Sequence, residues 1–380
     1  MKKVIVISDS FKGTISSNEI CSIAAETIPR YFPGCEVVTI PAADGGEGTV
    51  ECFVRALDAE PVSIQVSGAY GEKIEAQYAR MGDAAIIEMA AAAGLPSVGE
   101  RKDPSATTTF GVGEIILHAV ESGCKRILLG LGGSATNDCG CGCASALGVR
   151  FFDSSNISFV PVGRSLKDIA HIDVSAAREL LNGVELTLMC DVENPLYGDK
   201  GAAYVFAPQK GADKDMVKRL DDGLRHFAEV VRLDLGIDVS ELPGGGAAGG
   251  MGTGSSALLG GQLQSGIESI LNIIDFDVQL QNADLVISGE GRIDSQSLDG
   301  KLISGVSRRT KAAGVPLIAL VGCIDESAEA AYSKGVTAMF TIGRNSVPEA
   351  ELAQRSKSDY RATLEDILRL IKCFESKTAK

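Results

Sequence analysis

VIVISDSFKG, residues 4–13, decides how this chain is read. Its apolar run is short, β-branched and without polar alternation, so it reads as a strand buried on both faces, the kind found in parallel sheets. A polar loop and an amphipathic helix over about residues 18–31 follow. The succession repeats with EVVTI (36–40) and the loop PAADGGEGT. It returns near the other end of the chain, where ADLVIS (283–288) leads into GEGRID, PLIALV (316–321) into GCIDES, and AMFTI (338–342) towards a last helix. That helix carries Tyr360, Leu364, Ile367, Leu368, Ile371 and Phe374 on one expected face.

The middle has another rhythm: the hairpin-like VSIQVSGAYGEKIEAQYARMG (62–82), then mixed strands and glycine-rich loops around 111–147 and 243–261. The pattern predicts an α/β protein. A doubly wound parallel sheet is built from both chain ends, over 1–62 and 283–380, and is interrupted by a second, inserted α/β domain over 63–282. Ligands of open parallel sheets bind outside the carboxyl ends of the strands. Ser10, Lys12, Asp44, Glu47, Glu290, Arg292 and Asp294 all follow strands at that edge. The expected active site is therefore the cleft between the two domains.

Composition narrows the partners. The 380 residues carry a formal net charge of −14, which argues against nucleic acid or an anionic membrane, since both need a basic face to displace counterions. No apolar segment approaches the ~20 residues of a membrane span. The start, MKKVIVIS, reads as a strand rather than a signal peptide. A cytoplasmic protein is expected, monomeric or homodimeric, with its ten cysteines reduced.

The stretch GLGGSATNDCGCGCASALGVRFFD (130–153) offers three readings. Gly130-x-Gly132-x-x-Ala135 after a strand, with Asp153 further on, nearly satisfies a dinucleotide fingerprint, and hence an NAD-dependent oxidoreductase. Its helix would have to run through Gly140 and Gly142, however, and comparable glycine patterns recur at 244–257. Cys139, Cys141 and Cys143 could hold a soft metal, but no CxxC accompanies them. The three histidines, His118, His171 and His226, form no ligand-like pair, so the cysteines are expected to be packing. There is no Walker loop, no GxSxG elbow and no support for a Ser-His-Asp triad.

The third reading is a loop that handles phosphate. DPSATTTFGVGE (103–114) places Thr107, Thr108 and Thr109 at an expected helix start, where free N–H groups bind anions or a side chain caps the helix. CDVENPLYGDKGAAYVFAPQKG (190–211) brings Asp191, Glu193 and Asn194 to a strand end and supplies Lys200 and Lys210. Carboxylates for Mg²⁺, cations for developing charge and an acid to take a hydroxyl proton are what metal-assisted phosphoryl transfer requires.

Together, SDSFKGT (8–14), PAADGGEGT (41–49), IEMAAAAGLP (87–96), TTTFGVGE (107–114), GLGGSATND (130–138), CDVENPL (190–196), FAPQKGA (206–212), GGAAGGMGTG (245–254) and SGEGRIDSQSLDGK (288–301) resemble the bacterial type-1 glycerate kinase family. The resemblance implies a flavodoxin-like domain interrupted by a second α/β domain, and transfer of phosphate from ATP, with Mg²⁺, to D-glycerate at the 2-hydroxyl. On it, Asp44, Asp191 and Lys12 are expected to be catalytic, with Asp44, Asp191 and Asp294 as candidate metal ligands. Ser10, Thr107, Thr108, Thr109, Ser134, Thr136, Asn137, Asn194, Glu290 and Arg292 are expected to hold substrate or phosphate. The chain departs from the family pattern at Cys139, Cys141 and Cys143, and in TIGRNSVPEA (341–350), which lacks a glycine-proline turn. The rival readings are an oxidoreductase of a small hydroxy acid and a non-catalytic small-acid sensor.

Overall fold

The computed structural model describes residues 1–11, 14–41, 50, 54, 59–294, 302–344 and 349–378. Contacts divide the chain into two compact units, Met1–Asp44 with Arg55–Leu57 and Ile267–Lys380, and Gly45–Val54 with Asp58–Gly266. The sequence put the later boundary after Asn282, whereas the contacts put it after Gly266. The cause is the helix Gly266–Ile273. Its Glu268 pairs with Arg308 and Arg309 of the helix Leu302–Ala313, and Arg309 also reaches Asp277 at 2.6 Å.

The first unit holds five parallel strands in the spatial order Ala338–Thr341, Leu317–Val321, Leu285–Gly289, Lys3–Ser8, Glu36–Pro41. Counted along the unit this is the order 2-1-3-4-5 of a flavodoxin-like doubly wound sheet, with its switch point between Lys3–Ser8 and Leu285–Gly289. Val4 stands beside Leu285 on one side and Val37 on the other. Val4 and Val6 join Ile287 and Leu320 against the helices Ser17–Tyr31 and Glu349–Thr378. The intervening Ile5 and Ile7 are equally buried on the opposite face, as an unbroken apolar run requires. Ser16 caps the first helix in a reciprocal box with Glu19. On the last helix Tyr360, Leu364, Ile367 and Leu368 are core and Ile371 is half-buried, but Phe374 is 65% exposed, so the apolar face ends a turn earlier than its period suggests.

The second unit is built on a six-stranded sheet in the order Gln262–Gln264, Glu185–Met189, Arg126–Gly130, Ala84–Glu88, Lys73–Met81, Glu60–Ser67. The first four run parallel, and the last two form the antiparallel hairpin that alternation in 62–82 predicts. Its core packs the sheet against the helices Phe110–Glu121, Lys214–Leu235 and Ala247–Leu259. No helix among the described residues is long and apolar enough to cross a membrane.

Candidate active site

In the second unit three parallel strands end level with one another: Glu88 pairs with Gly130, and Gly130 with Met189. The segments IEMAAAAG, GLGGSATND and CDVEN therefore leave the sheet at one carboxyl edge, where open α/β sheets bind ligands. The loop 131–138 is pinned along its length. Leu131 N–H donates to Met189 O (3.3 Å), Leu95 N–H to Gly133 O (2.7 Å), Ala135 N–H to Ala93 O (2.8 Å) and Cys139 N–H to Gly249 O (3.1 Å).

Asp138 is the anchor of this loop. Fully buried, it accepts the N–H and the hydroxyl of Thr109, both at 2.8 Å, and the N–H groups of Gly140 (3.2 Å) and Gly142 (3.3 Å). The anion at the N-terminus of Phe110–Glu121 is thus the protein's own carboxylate. Burial pushes its pKa up, while the four donors, which favour the ionised form, oppose that shift. Thr109 Oγ1 also accepts the Cys143 N–H at 2.9 Å, and Thr107 Oγ1 donates to Ala135 O at 2.9 Å. Both hydroxyls hold the loop in place. Thr108, half-buried, accepts the Phe110 N–H at 3.2 Å, a local cap.

Lys210 grips the loop from the other side. Only 2% exposed, its Nζ donates to Ser134 Oγ at 2.7 Å and to Thr136 O at 2.8 Å. Burial pulls its pKa down to about 7, with the charge of Asp138 acting in the opposite direction. Between the two grips lie Thr136 and Asn137, both fully buried; among the described residues, Thr136 Oγ1 and both polar atoms of the Asn137 amide have no hydrogen-bond partner. Three orphaned polar atoms on consecutive residues cost about 1–3 kcal/mol each unless something completes them.

Asp191 follows the strand Glu185–Met189, exposed, with one carboxylate oxygen taking the Gly266 N–H at 2.9 Å. Asn194 donates to Lys200 O at 2.8 Å. In the first unit, Ser10 and Glu290 follow the two strands of the switch point; Ser10 turns its N–H and hydroxyl onto Asp9 Oδ1, and Glu290 is buried. Arg292 is exposed and paired with Asp325 at 2.5 Å, and Asp294 follows it, half-buried. Lys12, Asp44 and Glu47 lie outside the described residues. Among the described residues, no group of three or more His, Cys, Asp or Glu side chains is arranged to hold a metal ion.

Nothing in the sequence singles out Asp138, and Lys210 stands there only as a cation near a strand end. The one signal for them was their place inside GLGGSATND and FAPQKGA, because their roles depend on partners far away in sequence. Cys139, Cys141 and Cys143 are fully buried in the core, the first with its thiol on Gly250 O at 3.3 Å. The short helix Cys141–Ala146 starts only after a long loop and a left-handed Gly140, so the tight strand-to-helix turn of a dinucleotide site is not formed here. In the glycine cluster at 245–254, Gly254 has a steric reason: a Cβ there would lie 1.7 Å from Cys139 O, so the helix Ala247–Leu259 closes on this loop only with glycine in place.

These features define an α/β protein of the doubly wound type, with polar loops collected at the carboxyl edges of parallel strands. The profile of the glycerate kinase family matches residues 4–372. The chain is 42% identical over 368 residues to a glycerate kinase of Bacillus cereus, covering 96% of this chain and 97% of the relative. It is 41% identical over 343 residues to glycerate 2-kinase of Escherichia coli K12, covering 90% of each. A crystal structure assigned to glycerate kinase 2 from Salmonella typhimurium LT2 superposes with a TM-score of 0.86 at 38% identity, over 99% of both chains. The chain belongs to the glycerate kinase family.

Proposed function

We propose that the protein transfers the γ-phosphoryl group of ATP, with Mg²⁺, to the 2-hydroxyl of D-glycerate, giving 2-phosphoglycerate and ADP. The observation that carries this reading is the orphaned set on Thr136 and Asn137, held in a loop locked by Asp138 and Lys210. A rigid, buried group of donors and acceptors beside a cation suits the carboxylate and hydroxyl oxygens of a small hydroxy acid, or the oxygens of a phosphoryl group. Family membership and the E. coli relative named glycerate 2-kinase support the substrate and the hydroxyl.

In the transfer, the substrate hydroxyl oxygen bonds to the γ-phosphorus as the bridging bond to ADP breaks, and the hydroxyl proton passes to a carboxylate. Asp191 fits that proton acceptor or a Mg²⁺ ligand, since it presents an exposed carboxylate at a strand end and hard cations take oxygen ligands. Asp138 does not fit, because its oxygens already receive four donors. Asp44 and Asp294 are proposed to share the metal or proton work, Lys12 and Arg292 to steady phosphate oxygens, and Ser10, Asn194 and Glu290 to hold substrate or nucleotide. Thr107 and Thr109 shape the loop that presents Ser134, Thr136 and Asn137, and Thr108 caps the start of its own helix. Mg²⁺, when bound, neutralises the charge that develops on the phosphoryl oxygens. The reading places the enzyme in the cytoplasm.

The test is incubation of purified protein with ATP, Mg²⁺ and D-glycerate, followed by phosphorus NMR. The 2-phosphate is expected. The 3-phosphate would move the reaction to the other hydroxyl, and the absence of ADP above background would overturn the reading.

A further inference from the structure

A buried lysine is an expensive way to fill a core position, because an apolar side chain of similar length avoids taking a charge out of water. Lys210 is nevertheless 2% exposed, and the chain around it is built to turn it inward. It closes the short turn Pro208–Lys210, and the next residue, Gly211, has φ +99°. A Cβ on Gly211 would lie 2.4 Å from Lys102 O, so only glycine fits. The lysine's Nζ reaches Ser134 Oγ (2.7 Å) and Thr136 O (2.8 Å), 76 and 74 residues away in sequence. Those contacts bracket Ala135 and leave the side chains of Thr136 and Asn137 free of protein partners among the described residues.

Packing alone does not need this arrangement. Thr107, Thr109 and Asp138 already fix the far side of the loop through Ala135 O and four donors to one carboxylate. What Lys210 adds is control of the main chain at Thr136, the residue whose hydroxyl and whose neighbour's amide are orphaned. These two contacts use two of the three N–H donors that an ammonium carries. We propose that Lys210 is the positioning residue of the substrate loop, holding Ser134 and the Thr136 carbonyl so that Thr136 and Asn137 are ready for an anionic small molecule. This rests on the kinase reading above and deepens it.

The test compares the full-length protein with Lys210→Met, which keeps the stem and removes the donors. Lys210→Met is expected to fold with a melting temperature no lower than that of the native protein. Its kcat should fall by about 100-fold, the scale of loss when reacting groups are misplaced by an ångström, while KM for ATP changes by less than about threefold. D-glycerate binding, read by calorimetry, should weaken by at least about tenfold. Amide hydrogen exchange should accelerate within residues 131–138 and stay unchanged in the strand Arg126–Gly130. Native-like kcat and glycerate affinity would overturn the proposal, as would unchanged exchange in the loop. If Lys210→Met does not fold, Ser134→Ala decides: it removes one acceptor, and a kcat and loop exchange both equal to native would overturn the proposal. A native protein that fails to phosphorylate glycerate would instead remove the kinase reading, and loop exchange would still judge the role of Lys210.

Discussion

Thr109 and Asp138 hold each other through two hydrogen bonds: the main-chain N–H and the hydroxyl of Thr109 each lie 2.8 Å from Asp138 Oδ2. A helix start that reads in sequence as an anion site therefore contains its anion already. The consequence for function is that this end of the loop is fixed before any ligand arrives, which lowers the ordering cost of binding.

Asp138→Asn should expose the strength of that anchor. An amide offers one oxygen to four donors and turns its own N–H groups towards the rest. Urea unfolding should show a loss of about 3 kcal/mol or more, with turnover falling as well. Native stability would show that the carboxylate is not the anchor.

Asn137→Leu should behave in the opposite way. The Asn137 side chain has no protein hydrogen bond to lose among the described residues. Stability should stay within about 1 kcal/mol of native or rise, while kcat/KM for D-glycerate falls by about 100-fold or more. Parallel losses of stability and activity would assign Asn137 to the scaffold.

Lys210 should tie stability to pH. Its folded pKa, about 7, lies below its ordinary 10.5, so from pH 7 to 10.5 the unfolded chain binds more protons than the folded one. Stability from this group then rises with pH, by at most about 1.4 kcal/mol per unit, and below pH 7 the full cost of the buried charge remains. Lys210→Met lacks this dependence. The stability difference, native minus Lys210→Met, should therefore grow by about 2 kcal/mol between pH 7 and 9. A difference that stays constant in urea titrations across that range would contradict the shift.

Asp191→Asn should fold normally and lose about two orders of magnitude in turnover at saturating ATP, glycerate and Mg²⁺, as expected on losing a proton acceptor or metal ligand. Asp44→Asn is predicted to do the same. Activity near native in either variant would remove that residue from the chemistry.

The thiols should separate by burial. Cys323 and Cys373 are exposed, whereas Cys139, Cys141 and Cys143 are buried with their pKa values pushed up by desolvation. Because the thiolate is the reactive species, a disulfide reagent should label the exposed pair first and the buried three only in denaturant. Stoichiometric zinc or iron in the isolated protein would show that the buried three serve as ligands.

Sequence by itself determined the class of fold. Runs such as VIVIS and LVIS, the hairpin alternation at 62–82 and the apolar period of the last helix are local signals, because the faces of a strand or helix are set by residues two to four positions apart. It also named the loops that collect at the strand edges, since a polar loop after a buried strand has one place to go in a parallel sheet. It did not place the later unit boundary, because the helix Gly266–Ile273 joins the first unit through partners distant in sequence, such as Arg308 and Arg309 for Glu268. Nor did it separate the hydroxyls of Thr107 and Thr109, which build the loop, from the side chains of Thr136 and Asn137, whose buried polar atoms have no hydrogen-bond partner among the described residues. That division rests on Asp138, 29 residues from Thr109, and on Lys210, 74 residues from Thr136. A hydrogen bond is satisfied by whatever the fold brings within about 3 Å, so only the tertiary structure decides which polar side chains are already engaged and which remain to do chemistry.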